Sequence, residues 1–152
     1  MPSTLAFKPM PESRWIWQSE HLIPSRDGAG RKVRREVLRQ LKRQHWDQHD
    51  TFSIRLALEE ALVNAIKHGN ALDATKQVRV RCRMSDDLIQ IEVVDEGNGF
   101  DPESIPDPTN GERREMPDGR GVMLMRRFMD RVEFNDKGNG VLLEKQRTRL
   151  PQ

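Results

Sequence analysis

The sequence predicts an α/β chain of the α+β kind: a two-layer sandwich with helices on one face of a mostly antiparallel, mixed sheet. Three observations predict it. Two stretches with apolar residues at helical spacing come first, two alternating runs joined by a short polar turn follow, and a second strand pair closes the chain.

Residues 1–12 read as a loose tail, and 13–150 as one domain, a size that can bury its own core. Trp15, Trp17, Leu22 and Ile23 mark a first strand over Trp15–Ile23, ended by Pro24 and Ser25. Arg26–Trp46 reads as a basic amphipathic helix carrying Val33, Val37, Leu38 and Leu41 on one side. A second helix runs from Asp50, the candidate N-cap, to His68, with Gly69 as its stop. Val78, Val80, Cys82 and Met84 alternate with Arg79, Arg81 and Arg83, which is the period of a half-buried strand. Ser85-Asp86-Asp87 turns that strand into Ile89, Ile91 and Val93, its antiparallel partner. Residues 101–118 hold four prolines and break every pattern, so they read as a long loop. A helix over Gly121–Met129 and strands over Arg131–Asn135 and Val141–Thr148 complete the chain, the strands joined at Lys137-Gly138-Asn139-Gly140. The methionines of that last helix read as core packing rather than as an adaptable surface.

Composition narrows the function. Lys plus Arg number 26 against 24 Asp plus Glu, a balance too even to imply nucleic acid. The single cysteine, Cys82, excludes an internal disulfide framework and a cysteine-rich zinc site. No signal-like start and no apolar run of about 20 residues is present, so a cytoplasmic protein without membrane contact is expected.

Three segments carry the candidate chemistry. On the second helix Glu60, Asn64 and His68 recur every four residues with Lys67 beside them, putting a carboxylate, an amide and cations on one face. An amide oxygen can ligate Mg²⁺, a carboxylate can take a proton and a lysine can meet a phosphate. By itself this stripe reads first as an ordinary solvated face with an i,i+4 polar pairing. Glu59 lies about 100° around the helix from Glu60 and cannot share its target. Asp95-Glu96-Gly97-Asn98-Gly99 follows a strand directly, so the Asp95 carboxylate sits at the sheet edge, where it can accept from an exocyclic amine. Gly97 and Gly99 permit close approach of a flat ring, although a plain Asp-Gly turn reads the same way. Gly119-Arg120-Gly121 opens a helix, whose free N–H groups suit phosphate. Its spacing fits neither the P-loop nor the dinucleotide fingerprint.

Taken in order, these segments resemble the N, G1 and G2 boxes of the GHKL ATPase superfamily, which includes DNA gyrase, histidine kinases and mismatch-repair ATPases. The similarity is nearest to the stand-alone anti-sigma-factor serine/threonine kinases of bacterial partner-switching systems and spans Trp15 to Thr148. The resemblance implies ATP and Mg²⁺ as cofactors, with Glu60 as general base and Asn64 as the Mg²⁺ ligand. It puts Lys67 and His68 beside phosphate and makes Asp95, with Gly97 and Gly99, the reader of the adenine amine. Residues 102–118 correspond to the ATP lid, and Gly119, Arg120 and Gly121 to the phosphate-side loop. The implied activity is phosphorylation of a STAS-domain anti-anti-sigma protein by a homodimer that also binds a sigma factor.

Other readings compete with this one. A histidine kinase needs a phosphoacceptor helix pair before the ATP site, and a gyrase-like enzyme needs a transducer domain. His45 reads as a surface or packing residue, and His45 with His49 lacks a third ligand for zinc. An ATP-binding module that grips a partner without phosphoryl transfer is the principal alternative. A nucleic-acid binder using Arg79, Arg81, Arg83 and the basic helix lacks the aromatic interleaving that base stacking needs.

Overall fold

Alternation and helical periodicity become nine elements in the computed structural model, which describes residues 14–99 and 119–149. The tail expected over 1–12 and the lid expected over 102–118 lie outside the described residues. In chain order the elements are β1 (Trp17–Pro24), α1 (Arg31–Arg43), α2 (Gln48–Val63) and a π-helical turn (Asn64–Gly69). Then come β2 (Gln77–Met84), β3 (Leu88–Val94), α3 (Gly119–Phe128), β4 (Arg131–Phe134) and β5 (Gly140–Gln146). The sheet order is β1-β2-β3-β5-β4. Every described pairing is antiparallel, so the mixed component expected of the sheet is not found among the described residues.

The core lies between the sheet and the helices. Val33, Val37 and Leu41 of α1 and Ile54, Leu58 and Ala61 of α2 pack with Val80, Cys82, Ile91 and Val93. The strand alternation therefore read the inner face correctly. Burial also makes Cys82 chemically quiet, its thiol pushed up to about 12 by loss of solvent. Met125 of α3 and Met129 just past it join this core while Met123 stays exposed, so the packing reading holds for two of the three methionines expected there.

Several element ends differ from expectation, each for a local reason. β1 starts two residues late, although Ile16 N–H still donates to Met84 C=O at 2.8 Å. α1 begins at Arg31 rather than Arg26, because Ala29 N–H bonds Arg26 C=O and Arg31 N–H bonds Gly28 C=O in turns that precede the helix. It stops at Arg43 in a Schellman turn: His45 N–H reaches Lys42 C=O and Trp46 N–H reaches Leu41 C=O, with His45 at φ 60°. The N-cap of α2 is Asp47, not Asp50. Asp47 Oδ1 accepts from the Asp50 N–H at 2.7 Å, and the buried Asp50 carboxylate instead accepts from Thr148 N–H at 2.7 Å and Thr148 Oγ1 at 2.8 Å. α3 begins at Gly119 rather than Gly121.

The face of the sheet away from the helices is not simply solvated. Gln90 and Glu92 on β3 and Leu142 and Glu144 on β5 are buried there. Gln90 Nε2 donates to Glu144 Oε1 at 2.7 Å, and Arg81 Nη1 donates to Glu92 Oε1 at 3.2 Å. Burial pushes the Glu92 carboxyl above its usual range, and Arg81 and Arg79 pull it back only in part. Arg79 and Arg81 thus serve an ion network on the sheet, and Arg83 stacks over the Trp15 ring.

Candidate active site

A cleft of about 650 Å³ opens where the C-terminal end of the second helix passes the ends of β3 and β5. Asn64, Lys67 and His68 line its helix side, Asp95, Gly97 and Gly99 its sheet side. Six sequence-predicted residues from two separate segments therefore meet around one cavity.

The sheet side is built by steric omission. A Cβ on Gly69 would lie 2.1 Å from Asp95 Oδ2, and one on Gly97 would lie 2.0 Å from the Gly69 carbonyl oxygen. Two glycines from different segments thus let the helix end and the strand end touch through backbone. Asp95 is fixed by its neighbours: Gly97 N–H donates to its Oδ1 at 2.7 Å, and its main chain pairs with Asn139 in both directions at 2.9 and 2.8 Å. At 8% exposure the carboxyl loses most of its solvent, and burial pushes it up to about 6. The Gly97 N–H and the Lys137 and Lys76 ammonium groups oppose that rise. A buried carboxylate with one free acceptor edge in an apolar-walled cleft suits a planar heterocycle bearing an amine. Gly99, at φ 82°, packs against the Lys137 carbonyl, so its role in shaping the loop is conformational.

The helix side departs from a regular stripe. From Asn64 the α-helix widens into a π-helical turn, and Asn70 N–H reaches back to Ala65 C=O at 2.9 Å. Such turns shift the phase of the side chains that follow and gather at functional sites. Glu60 and Asn64 converge: a Cβ on Gly121 would sit 2.7 Å from Glu60 Oε2 and 3.7 Å from Asn64 Nδ2. The start of α3 is therefore pressed against the Glu60–Asn64 pair, joining the third segment to the first. Glu60, Arg120 and Gly121 themselves do not line the cleft among the described residues, and the exposed Arg120 stands at the α3 start, next to Gly119, its first residue. Glu59 turns away and accepts from Arg34 Nη1 on α1 at 2.9 Å. Lys67 leans out to Asp27, 3.7 Å away.

Asn64 supplies a test of the expected magnesium nucleotide. Its Oδ1 and Nδ2 are both buried and neither finds a hydrogen-bond partner among the described residues. An amide so placed at the cleft wall offers a donor and an acceptor that a ligand can complete, since orphan buried groups cost about 1–3 kcal/mol each. Among the described residues no three His, Cys, Asp or Glu side chains converge as a metal cage. Mg²⁺ needs none, because it binds through one or two protein oxygens with phosphate and water completing the shell. The residues present fit Mg²⁺ at Asn64 and a purine amine at Asp95.

Sequence reasoning missed two contributors. Gly69 reads as a helix stop, yet its missing side chain makes room for Asp95. Asn70, fully buried, donates from Nδ2 to Ser25 Oγ at 2.8 Å and Gln77 C=O at 3.0 Å. Its Oδ1 accepts from the Glu96 N–H at 2.7 Å, tying the helix exit to the loop after Asp95. A Gly-Asn pair closing a polar helix was the available signal. Ala71 and Leu72 then follow at φ 51° and 58°, strained for residues with a Cβ.

Residues 23–145 match the family of histidine kinase-like ATPase domains. An anti-sigma F factor of Clostridium perfringens is 34% identical over 97 residues, covering 60% of this chain and 69% of that protein. A serine-protein kinase RsbW of Bacillus licheniformis is 32% identical over 106 residues, covering 63% of this chain and 64% of that one. A crystal structure of the RsbU and RsbW domains of a Mycobacterium tuberculosis protein shares the fold, with TM-score 0.58 at 18% identity. That match covers 91% of this chain, which spans 32% of the larger one. With a matched region running from β1 into β5, and all three boxes on the expected helix–strand–helix frame, the chain belongs to the histidine kinase-like ATPase family of the GHKL type.

Proposed function

We propose that this chain is an ATP-dependent serine/threonine protein kinase that acts as an anti-sigma factor and phosphorylates a STAS-type anti-anti-sigma partner. The observation that carries the enzymatic part is the convergence of Glu60 and the unpaired Asn64 amide at Gly121. The names of the relatives, an anti-sigma F factor and a serine-protein kinase, support the regulatory part. In this reading residues 13–150 form the kinase domain, 102–118 its lid, and the working unit is a homodimer in the cytoplasm that also binds a sigma factor.

This reading gives each residue a part. Bound Mg·ATP supplies the transferable phosphoryl group and neutralises charge around it. Asn64 offers its amide oxygen to the metal, and Asp95 accepts from the adenine amine. Lys67 exchanges Asp27 for phosphate oxygens, with His68 beside it. Gly119, Arg120 and Gly121 present the N-terminus of α3, where free N–H groups favour an anion. Glu60 takes the proton of the incoming serine or threonine hydroxyl, and the fixed frame holds that hydroxyl in line.

Transfer of labelled γ-phosphate from Mg·ATP to STAS-domain proteins tests the reading. Glu60→Gln should lower transfer by about 10²-fold or more while leaving ATP binding within a few-fold. Asn64→Ala should abolish both transfer and Mg²⁺-dependent binding. ATP binding with no labelled partner would favour the module that grips a protein without phosphoryl transfer.

A further inference from the structure

A second concavity, of about 660 Å³, lies between the turn after β1 and the outward face of α1. Arg26, Arg31, Lys32, Arg35 and Arg39 line it, and all five are exposed. Arg31, Arg35 and Arg39 recur every fourth residue and so form one stripe along the helix.

The charges of this groove are not balanced among the described residues. None of its five cations makes an ion pair among the described residues, whereas Arg34, on the same helix, pairs with Glu59 at 2.9 Å. The groove's two carboxylates are already engaged: Glu36 Oε2 is 3.0 Å from His21 Nε2, and Asp27 Oδ1 is 3.7 Å from Lys67 Nζ. The field left over is positive. Through the Asp27–Lys67 pair, the groove's wall reaches the helix end that lines the nucleotide cleft.

We propose that this groove is the docking surface for an acidic segment of a partner protein, one that presents carboxylates at helical spacing. Charge complementarity identifies the occupant: a row of unpaired guanidinium forks on a rigid helix suits carboxylates, which each fork can hold through two hydrogen bonds. Nucleic acid fits less well. No aromatic ring lines the groove to stack bases. This deepens the reading above by giving the protein partner a place of contact beside the cleft, and it rests on that reading only in that the partner is a protein.

The test uses the full chain and a labelled helical peptide of roughly 15 residues with glutamate at every fourth position, followed by fluorescence anisotropy. Binding should weaken about tenfold or more in Arg35→Glu/Arg39→Glu, and the same variant should gain affinity for the matching lysine peptide. Arg35→Gln/Arg39→Gln, which introduces no repulsion, should show an intermediate loss. Mg·ATP affinity, measured in parallel, should not change and reports that each variant is folded. Equal peptide affinity in wild type and variants, or displacement of the peptide by duplex DNA at a lower concentration than by excess unlabelled peptide, overturns the proposal. The two readings fail separately. Peptide docking that tracks the arginines without phosphoryl transfer sinks only the kinase, and transfer without docking sinks only the groove.

Discussion

Asp95 concentrates the cost and the use of the cleft in one side chain. Its carboxyl, pushed up to about 6 from an ordinary 3.8, binds a proton more readily folded than unfolded. Its contribution to stability is therefore fully present below about pH 4 and is lost as pH rises through about 6. At neutral pH the ionised form is destabilising, and Asp95→Asn should raise the melting temperature of the ligand-free protein, by an amount on the order of 1–3 kcal/mol in stability. The same substitution should weaken ATP binding by about 10- to 100-fold, because a charge-assisted acceptor is lost. In wild type, ATP affinity should fall as pH drops below about 6, and in Asp95→Asn that dependence should flatten. Isothermal calorimetry at pH 5 to 8 checks both, and an Asn variant that binds ATP like wild type would remove Asp95 from the site. Gly69→Ala puts a methyl into the space of the Asp95 carboxylate, 2.1 Å from Oδ2, and should cost about 1–3 kcal/mol along with nucleotide binding.

At the scale of elements, the second helix shows what was legible in the sequence and what was not. Its apolar spacing and its Glu60–Asn64 pair follow from α periodicity, and so does the exclusion of Glu59. The π turn does not, because a wider turn leaves no compositional mark and arises where the Asn70 anchor, held by Ser25 and Gln77, draws the helix end toward the sheet. The cap was misread for a related reason: Asp47 and Asp50 are both capping residues by type, and only the remote bond from Thr148 takes Asp50 out of the competition. Asp47→Ala should accordingly cost about 0.5–2 kcal/mol, seen as a lower urea midpoint with the slope unchanged. At the other helix junction His45 occupies a left-handed position, φ 60°, that favours glycine. His45→Gly should stabilise the chain by up to about 1 kcal/mol, and a loss instead would show that the ring holds contacts worth more than the strain.

For the whole molecule, the strands and two of their pairings were readable because hairpin neighbours are also sequence neighbours, as in β2–β3 and β4–β5, whereas the β3–β5 junction joins strands that are not consecutive. The burial of Gln90, Glu92 and Glu144 on the outer face was not, since polar residues in an alternating strand signal solvent. The segment after β5 is also stapled to the helical layer: Thr148 bonds Asp50 near the start of α2. Thr148→Val removes the hydroxyl and leaves one oxygen of a buried carboxylate without its donor. It should lower global stability by about 1–3 kcal/mol, read from cooperative urea unfolding.

The meeting of Gly69 with Gly97 and Asp95 has a further bearing on how this protein behaves before it is complete. Neither segment forms half a nucleotide site alone, because the cavity's floor is the line where two backbones from distant parts of the chain abut. On the proposed reading, an ensemble lacking that seam keeps all three boxes and has no receptor for adenine. ATP would then be selective for the finished tertiary structure, and at about 100 times its dissociation constant it should hold the native state by about 2.7 kcal/mol against unfolding. Nucleotide supply then acts as a chaperone by mass action, and amide exchange at the seam should slow in step with saturation.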